Sequence, residues 1–123
     1  MTGTEAKILI VEDERLVARD FQSMLRGLGY GRVELACSGE EALRKVDETM
    51  PALIFMDIKL KQDMDGIEAA FRIRARHDMP VVFMSAMSDS ETRNRAATIP
   101  RVFYISKPLH ETEILAVIKS AGL

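Results

Sequence analysis

Five short, nearly uninterrupted apolar runs mark this chain, and a segment with helical spacing follows each of them. The runs are "KILIV" (residues 7–11), "RVELAC" (32–37), "ALIFMD" (52–57), "VVFMS" (81–85) and "VFYIS" (102–106). They are rich in β-branched and aromatic residues and too short for helices. Continuous apolarity of this kind reads as a strand buried on both faces; the second run is the weakest of the five. After the first run, Val17, Phe21, Met24, Leu25 and Leu28 recur at helical spacing, and Gly27 and Gly29 close the segment. Ser38, with Glu41 three residues on, forms a capping box for a helix carrying Ala42, Leu43, Val46 and Met50, with Pro51 just beyond it.

A loop, "IKLKQDMD", follows the third run. Asp65 and Glu68 then bracket a cap, and Ile67, Ala70 and Phe71 mark a helix to about His77. Residues 88–98 form a polar, arginine-rich helix with a thin apolar stripe. After Pro108, a last helix carries Ile114, Leu115, Val117, Ile118 and Ala121. Strand–helix alternation with short connections predicts an α/β fold, an open, doubly wound parallel sheet of five strands with helices on both faces. At 123 residues, with no linker or repeat, the chain reads as one domain over 1–123.

Composition narrows the function. A net charge of -2 supplies no basic field for nucleic acid. Arginines gather in "RIRARH" (72–77) and at Arg93, Arg95 and Arg101, which reads as solvated helix faces, with a partner contact as the alternative. The lone Cys37 cannot form an internal disulfide, reads as a small buried hydrophobe, and fits a reduced, cytoplasmic setting. The start of the chain meets acids too soon for a signal peptide, and no apolar run approaches the roughly 18 residues that span a bilayer.

In an open α/β sheet the working crevice lies at the carboxyl ends of the strands. The first run ends in Glu12 and Asp13, the third in Asp57, the fourth in Ser85, and the fifth is followed by Lys107. Carboxylates gathered in this way repel one another, and a hard divalent cation such as Mg²⁺ relieves that repulsion. Lys107 adds a compact positive charge and Ser85 a hydroxyl donor, which together suit the oxygens of a phosphoryl group. A carboxylate is itself a competent nucleophile toward phosphorus, and Asp57, ending the middle strand, is the best placed.

These residues sit in motifs that resemble the receiver domain of two-component response regulators, similar to the single-domain chemotaxis type. The motifs are "ILIVEDE" (8–14), "LIFMDIKL" (53–60), "MDGIEA" (64–69), "VVFMSA" (81–86) and "YISKP" (104–108). The resemblance implies a flavodoxin-like sheet with strand order 2-1-3-4-5. It implies that Asp57 takes a phosphoryl group from a phosphohistidine on a sensor histidine kinase or phosphotransfer protein. Asp13, Asp57 and the backbone carbonyl of Lys59 would hold Mg²⁺, Glu12 acting through water, with Mn²⁺ as an alternative occupant. Lys107 would pair with a phosphoryl oxygen across a cis Lys107–Pro108 bond. Ser85 would hydrogen-bond another oxygen, and Tyr104 would swing inward, changing the face built from helix four, strand five and helix five. The output would be an unknown downstream protein or output domain, reached by a monomer or weak dimer with no direct nucleic-acid contact and no membrane insertion.

The chain departs from the family pattern in places. Glu12 stands where Asp is commoner. Pro100 and Arg101 replace a frequent Gly-Ala pair before strand five, and Phe103 a frequent Gly, so the entrance to that strand is stiffer and bulkier. His110 is a weak N-cap; it and His77 read as surface histidines. Met87, two residues past Ser85, is expected to shield an acylphosphate from water. A Mg²⁺-dependent phosphohydrolase commonly has a second aspartate two residues after its nucleophile, where this chain has Lys59. A pseudo-receiver with a dead site conflicts with the complete set of Glu12, Asp13, Asp57, Ser85 and Lys107. Self-phosphorylation and autodephosphorylation are the only chemistry expected. No Gly-rich loop supports a nucleotide cofactor.

Overall fold

The computed structural model describes residues 5–61, 64–86 and 90–123. The elements run β1 (Lys7–Val11), α1 (Arg15–Gly27), β2 (Arg32–Ala36), α2 (Gly39–Thr49), β3 (Leu53–Asp57), α3 (Gly66–Arg74), β4 (Val81–Ser85), α4 (Ser90–Ala96), β5 (Val102–Ser106) and α5 (Glu111–Ser120). All strand pairs are parallel, in the order β2-β1-β3-β4-β5. The winding reverses between β1 and β3, so their carboxyl ends flank the crevice expected of such a sheet.

The side-chain alternation of a strand builds two cores from one run. Ile8, Ile10, Leu53, Phe55, Val82 and Met84 pack against Phe21 and Leu25 of α1 and Ile114 and Ile118 of α5. Leu9, Val11, Ile54, Met56, Val81 and Phe83 pack on the other face against α2, α3 and Ala96 of α4. Phe21 meets Phe55 edge to face, with ring centroids 4.9 Å apart. Each large side chain buried this way stabilises the fold by roughly 1.5–3 kcal/mol. The outer strands β2 and β5 are only partly covered, as their positions require.

Both predicted caps form. Ser38 Oγ accepts from the Glu41 N–H at 3.1 Å, and Asp65 Oδ1 accepts from the Glu68 N–H at 2.9 Å. His110, at the N-cap of α5, makes no side-chain cap bond. The Glu41 carboxylate reaches back to the Cys37 N–H at 2.6 Å.

Several expectations are corrected. Cys37 is exposed rather than buried, because β2 ends at Ala36 and the chain turns outward into the cap. The inward stripe of α3 is Ile67, Ala70 and Ile73, and Phe71 stands outside it at 45% exposure. Met50 is also exposed, in the left-handed conformation that ends α2. His77 is no free surface group: its side chain is 15% exposed and Nε2 lies 2.8 Å from Asp47 Oδ1. Met87 and the first two residues of the expected 88–98 helix lie outside the described residues. No helix among the described residues is long and apolar enough to cross a membrane.

Candidate functional site

The site is assembled by backbone bonds that carry the sheet one residue past its strands. The Glu12 N–H donates to the Ala36 carbonyl at 3.0 Å and the Ile58 N–H to that of Met84 at 3.1 Å. The Lys107 N–H donates to the Ser85 carbonyl at 2.8 Å, and the Lys107–Pro108 peptide is cis. Rigid strand ends therefore aim Glu12, Asp57 and Lys107 at one point.

Glu12 and Asp57 are the only buried charged or polar residues among the described core, at 4% and 5% exposure. The Lys107 ammonium spans them, with Nζ 3.3 Å from Glu12 Oε1 and 3.2 Å from Asp57 Oδ2. Each carboxylate spends its other oxygen on a backbone donor. The Glu14 N–H reaches Glu12 Oε2 at 3.1 Å and the Lys59 N–H reaches Asp57 Oδ1 at 3.2 Å. Asp13, half-buried, accepts from the Lys61 N–H at 2.9 Å, which ties the loop after β1 to the loop after β3.

One oxygen from each of Glu12, Asp13 and Asp57 lies within 4.8 Å of the others. Three carboxylates thus face one ammonium. Burial, then the charge of Asp57, pushes the Glu12 carboxyl above its ordinary range, against the Glu14 N–H and Lys107. Burial works against the Lys107 charge as well, but Asp57 and Glu12 outweigh it and raise its pKa. An oxygen-only donor set with surplus negative charge fits a hard divalent cation that keeps several waters.

The other predicted residues lie along the neighbouring strands. Asp57 pairs in register with Met84, so Ser85 stands one position beyond it, half-buried, opposite Ser106. Tyr104 pairs with Phe83, two positions back from that end of the sheet. Its ring lies 5.8 Å from the Phe83 ring, and burial raises its phenol pKa. Ser85 and Tyr104 are therefore near the carboxylates' end of the sheet; Ser85 meets Lys107 through its backbone carbonyl, and neither side chain joins the hydrogen bonds of the carboxylate–lysine cluster. A groove of about 280 Å³, lined by Glu12, Val17, Phe21, Met24, Lys107 and Leu109 among others, opens beside the cluster.

Some residues that shape this region were not anticipated. Gly66 begins α3 directly against the Asp57 and Ile58 backbone, its N–H bonding to the Ile58 carbonyl at 2.9 Å. The Asp65-Gly66 pair was visible as a cap, but its closeness to Asp57 was not. The arginines are mostly engaged within the chain: Arg72 with Glu68, Arg76 with Asp47, Arg95 with Asp65, and Arg93 over the Tyr104 ring.

Comparison with known proteins agrees with this geometry. The family pattern described as "Response regulator receiver domain" matches residues 8–119. The transcriptional regulatory protein PdtaR of Mycobacterium tuberculosis is 34% identical over 115 residues, 94% of this chain and 56% of that protein. The phyllosphere-induced regulator PhyR of Methylorubrum extorquens is 32% identical over 117 residues, 94% of this chain and 43% of that protein. The chain thus spans about half the length of these curated relatives. Among solved structures, the signal receiver domain of a modulated diguanylate cyclase from Desulfovibrio desulfuricans superposes with a TM-score of 0.86. It shares 33% identity, with 95% of this chain and 93% of that one covered.

Proposed function

The chain belongs to the response regulator receiver domain family, and from that premise we propose that it is a phosphorylation-controlled switch with Asp57 as the acceptor. The observation that carries this reading is the Asp57–Lys107 contact at 3.2 Å inside a cluster of three carboxylates. One receiver unit would extend over residues 1–123.

A phosphohistidine on a sensor histidine kinase or phosphotransfer protein is the donor. An Asp57 carboxylate oxygen attacks phosphorus; the O–P bond forms as the P–N bond breaks. The imidazole leaves with the electron pair and takes a proton from solvent. Asp13, Asp57 and the Lys59 carbonyl, with Glu12 through water, would hold Mg²⁺, which neutralises charge on the phosphoryl oxygens when bound. Lys107, already poised on Asp57 Oδ2, transfers its ion pair to a phosphoryl oxygen. The Ser85 hydroxyl donates to another. The apolar groove beside Lys107, with the exposed Val17 in its lining, supports seating of the donor protein there.

Phosphorylation then biases two arrangements of Ser85 and Tyr104, and the α4–β5–α5 face presented to a partner or output domain follows. The family is not a class of turnover enzymes, and the chemistry proposed is limited to gaining and losing this one group.

Intact-mass spectrometry after treatment with acetyl phosphate tests the reading. A phosphoryl-sized gain that needs both Mg²⁺ and Asp57 is expected. A gain that persists in Asp57→Asn, or none in wild type where another receiver is labelled, would overturn it.

A further inference from the structure

The weakest attachment in the sheet's helical layers is α4. Of its seven residues only Ala96 is buried, and the helix faces water along most of its length. Two of its arginines nevertheless reach opposite sides. The Arg95 Nη1 lies 3.3 Å from Asp65 Oδ2, and the Arg93 guanidinium carbon stands 4.9 Å from the centre of the Tyr104 ring.

Each anchor has a second attachment. Asp65 uses its other oxygen to cap α3, and the next residue, Gly66, bonds to the Ile58 carbonyl immediately after Asp57. Tyr104 lies on β5 with Phe83 of β4 beside its ring. The two arginines thus join the loop that follows the acceptor to the tyrosine of the output face, by a route that does not pass through Ser85.

We propose that Arg93 and Arg95 latch α4 onto the resting receiver at two points, so that the acceptor loop and Tyr104 bias the position of α4 together. This rests on the reading of Tyr104 as a residue that moves when Asp57 is phosphorylated. Departure of Tyr104 from beneath Arg93 breaks one point of the latch, and any shift of the 65–66 corner strains the other. Either event favours release of α4. An exposed cation–aromatic contact and a surface ion pair are each small. Each is still enough to move a two-state equilibrium by about twofold to fivefold.

The latch can be read in the unphosphorylated protein. The chain has two tyrosines and no tryptophan, so ring-labelled tyrosine gives an NMR probe at Tyr104 with Tyr30 as internal reference. The Arg95→Ala variant touches neither ring. It is expected to speed amide exchange of α4 about twofold to fivefold and to move the Tyr104 signal in the direction that phosphorylation moves it in wild type, leaving Tyr30 unchanged. Arg93→Ala is expected to do the same for α4, and Arg95→Lys, which keeps the ion pair, to restore wild-type behaviour. Unchanged α4 exchange and an unmoved Tyr104 in Arg95→Ala, in a wild type that takes the phosphoryl group, would overturn the latch alone. A wild type that takes no phosphoryl group, checked separately by mass, would overturn the underlying reading as well.

Discussion

Gly66 lies so close to the backbone of Asp57 that any side chain on it would overlap the Asp57 carbonyl oxygen. A Cβ there would also stand 2.9 Å from the Asp57 carbonyl carbon and 2.9 Å from the Ile58 Cα. All three obstacles are main chain at the end of a central strand, which cannot step aside. Gly66→Ala should therefore lower stability by about 1–3 kcal/mol, as overpacking against rigid neighbours does. It should also impair modification at Asp57, because the displaced backbone carries that carboxylate. Thermal melting together with the acetyl phosphate mass assay checks both; a fully stable and fully labelled variant would contradict the argument.

Ionising Glu12 carries a cost to the fold. Its folded pKa is raised by burial and by Asp57, so ionisation weakens the native state. That penalty is absent at pH below the ordinary carboxylate range and grows as pH rises through the raised value. Glu12→Gln, which mimics the protonated form, should melt higher than wild type near neutral pH in the presence of a chelator. The advantage should vanish in acid. Added Mg²⁺ should stabilise wild type more than the variant.

The exposed Cys37 thiol should react slowly for its accessibility. A hydrogen bond to Glu41, then burial and the Glu41 charge, raise its pKa and deplete the nucleophilic thiolate. Glu41→Gln should speed alkylation at mildly alkaline pH, measured against wild type with an iodoacetamide probe. Ser38→Ala, which removes the neighbouring cap bond, should cost about 0.5–2 kcal/mol of stability.

Arg101 occupies the left-handed region at φ 60, just before β5. Arg74 compensates from α3: its guanidinium reaches the Pro100 carbonyl at 3.0 Å, that of His77 at 3.1 Å and that of Arg101 at 3.4 Å. Arg101→Gly should relieve the backbone and gain up to about 1 kcal/mol, the freer unfolded chain offsetting part of the relief. Arg74→Met should lose about 1–2 kcal/mol as the turn's carbonyls lose their donor. Urea unfolding of the two variants measures opposite signs if the clasp works as described.

Asp47 joins α2 to the end of α3. The hydrogen bond from His77, and then the charge of Arg76, hold its carboxyl below the usual range. The stability it contributes is present above the unfolded carboxylate value and is lost as pH falls through the lowered one. Asp47→Asn should lower stability at neutral and alkaline pH and flatten that part of the acid limb, so that variant and wild type converge in acid; urea unfolding as a function of pH measures this.

The strand–helix alternation made the sheet legible, because buried parallel strands must be apolar throughout and few other elements are. The carboxylates and Lys107 were legible for a related reason: charged residues directly after such strands are costly without partners. What stayed hidden depends on contacts between distant segments. His77 looked like a surface group because its partner Asp47 lies 30 residues earlier on another helix. Cys37 looked buried because it extends an apolar run, and nothing local says that β2 stops one residue short of it. The tie between Asp13 and the Lys61 N–H leaves no trace in side-chain identity, since any residue at 61 except proline supplies that donor.

The Lys107 ammonium meets Glu12 across 95 positions of sequence. During synthesis, the first strand, its acids and the Asp57 strand all emerge well before the lysine that balances them. Until β5 has joined the edge of the sheet, Glu12 and Asp57 lack the ammonium of Lys107. The chemistry proposed for Asp57 would then be withheld from a half-made chain, and any competence to carry a signal would arrive together with completion of the fold.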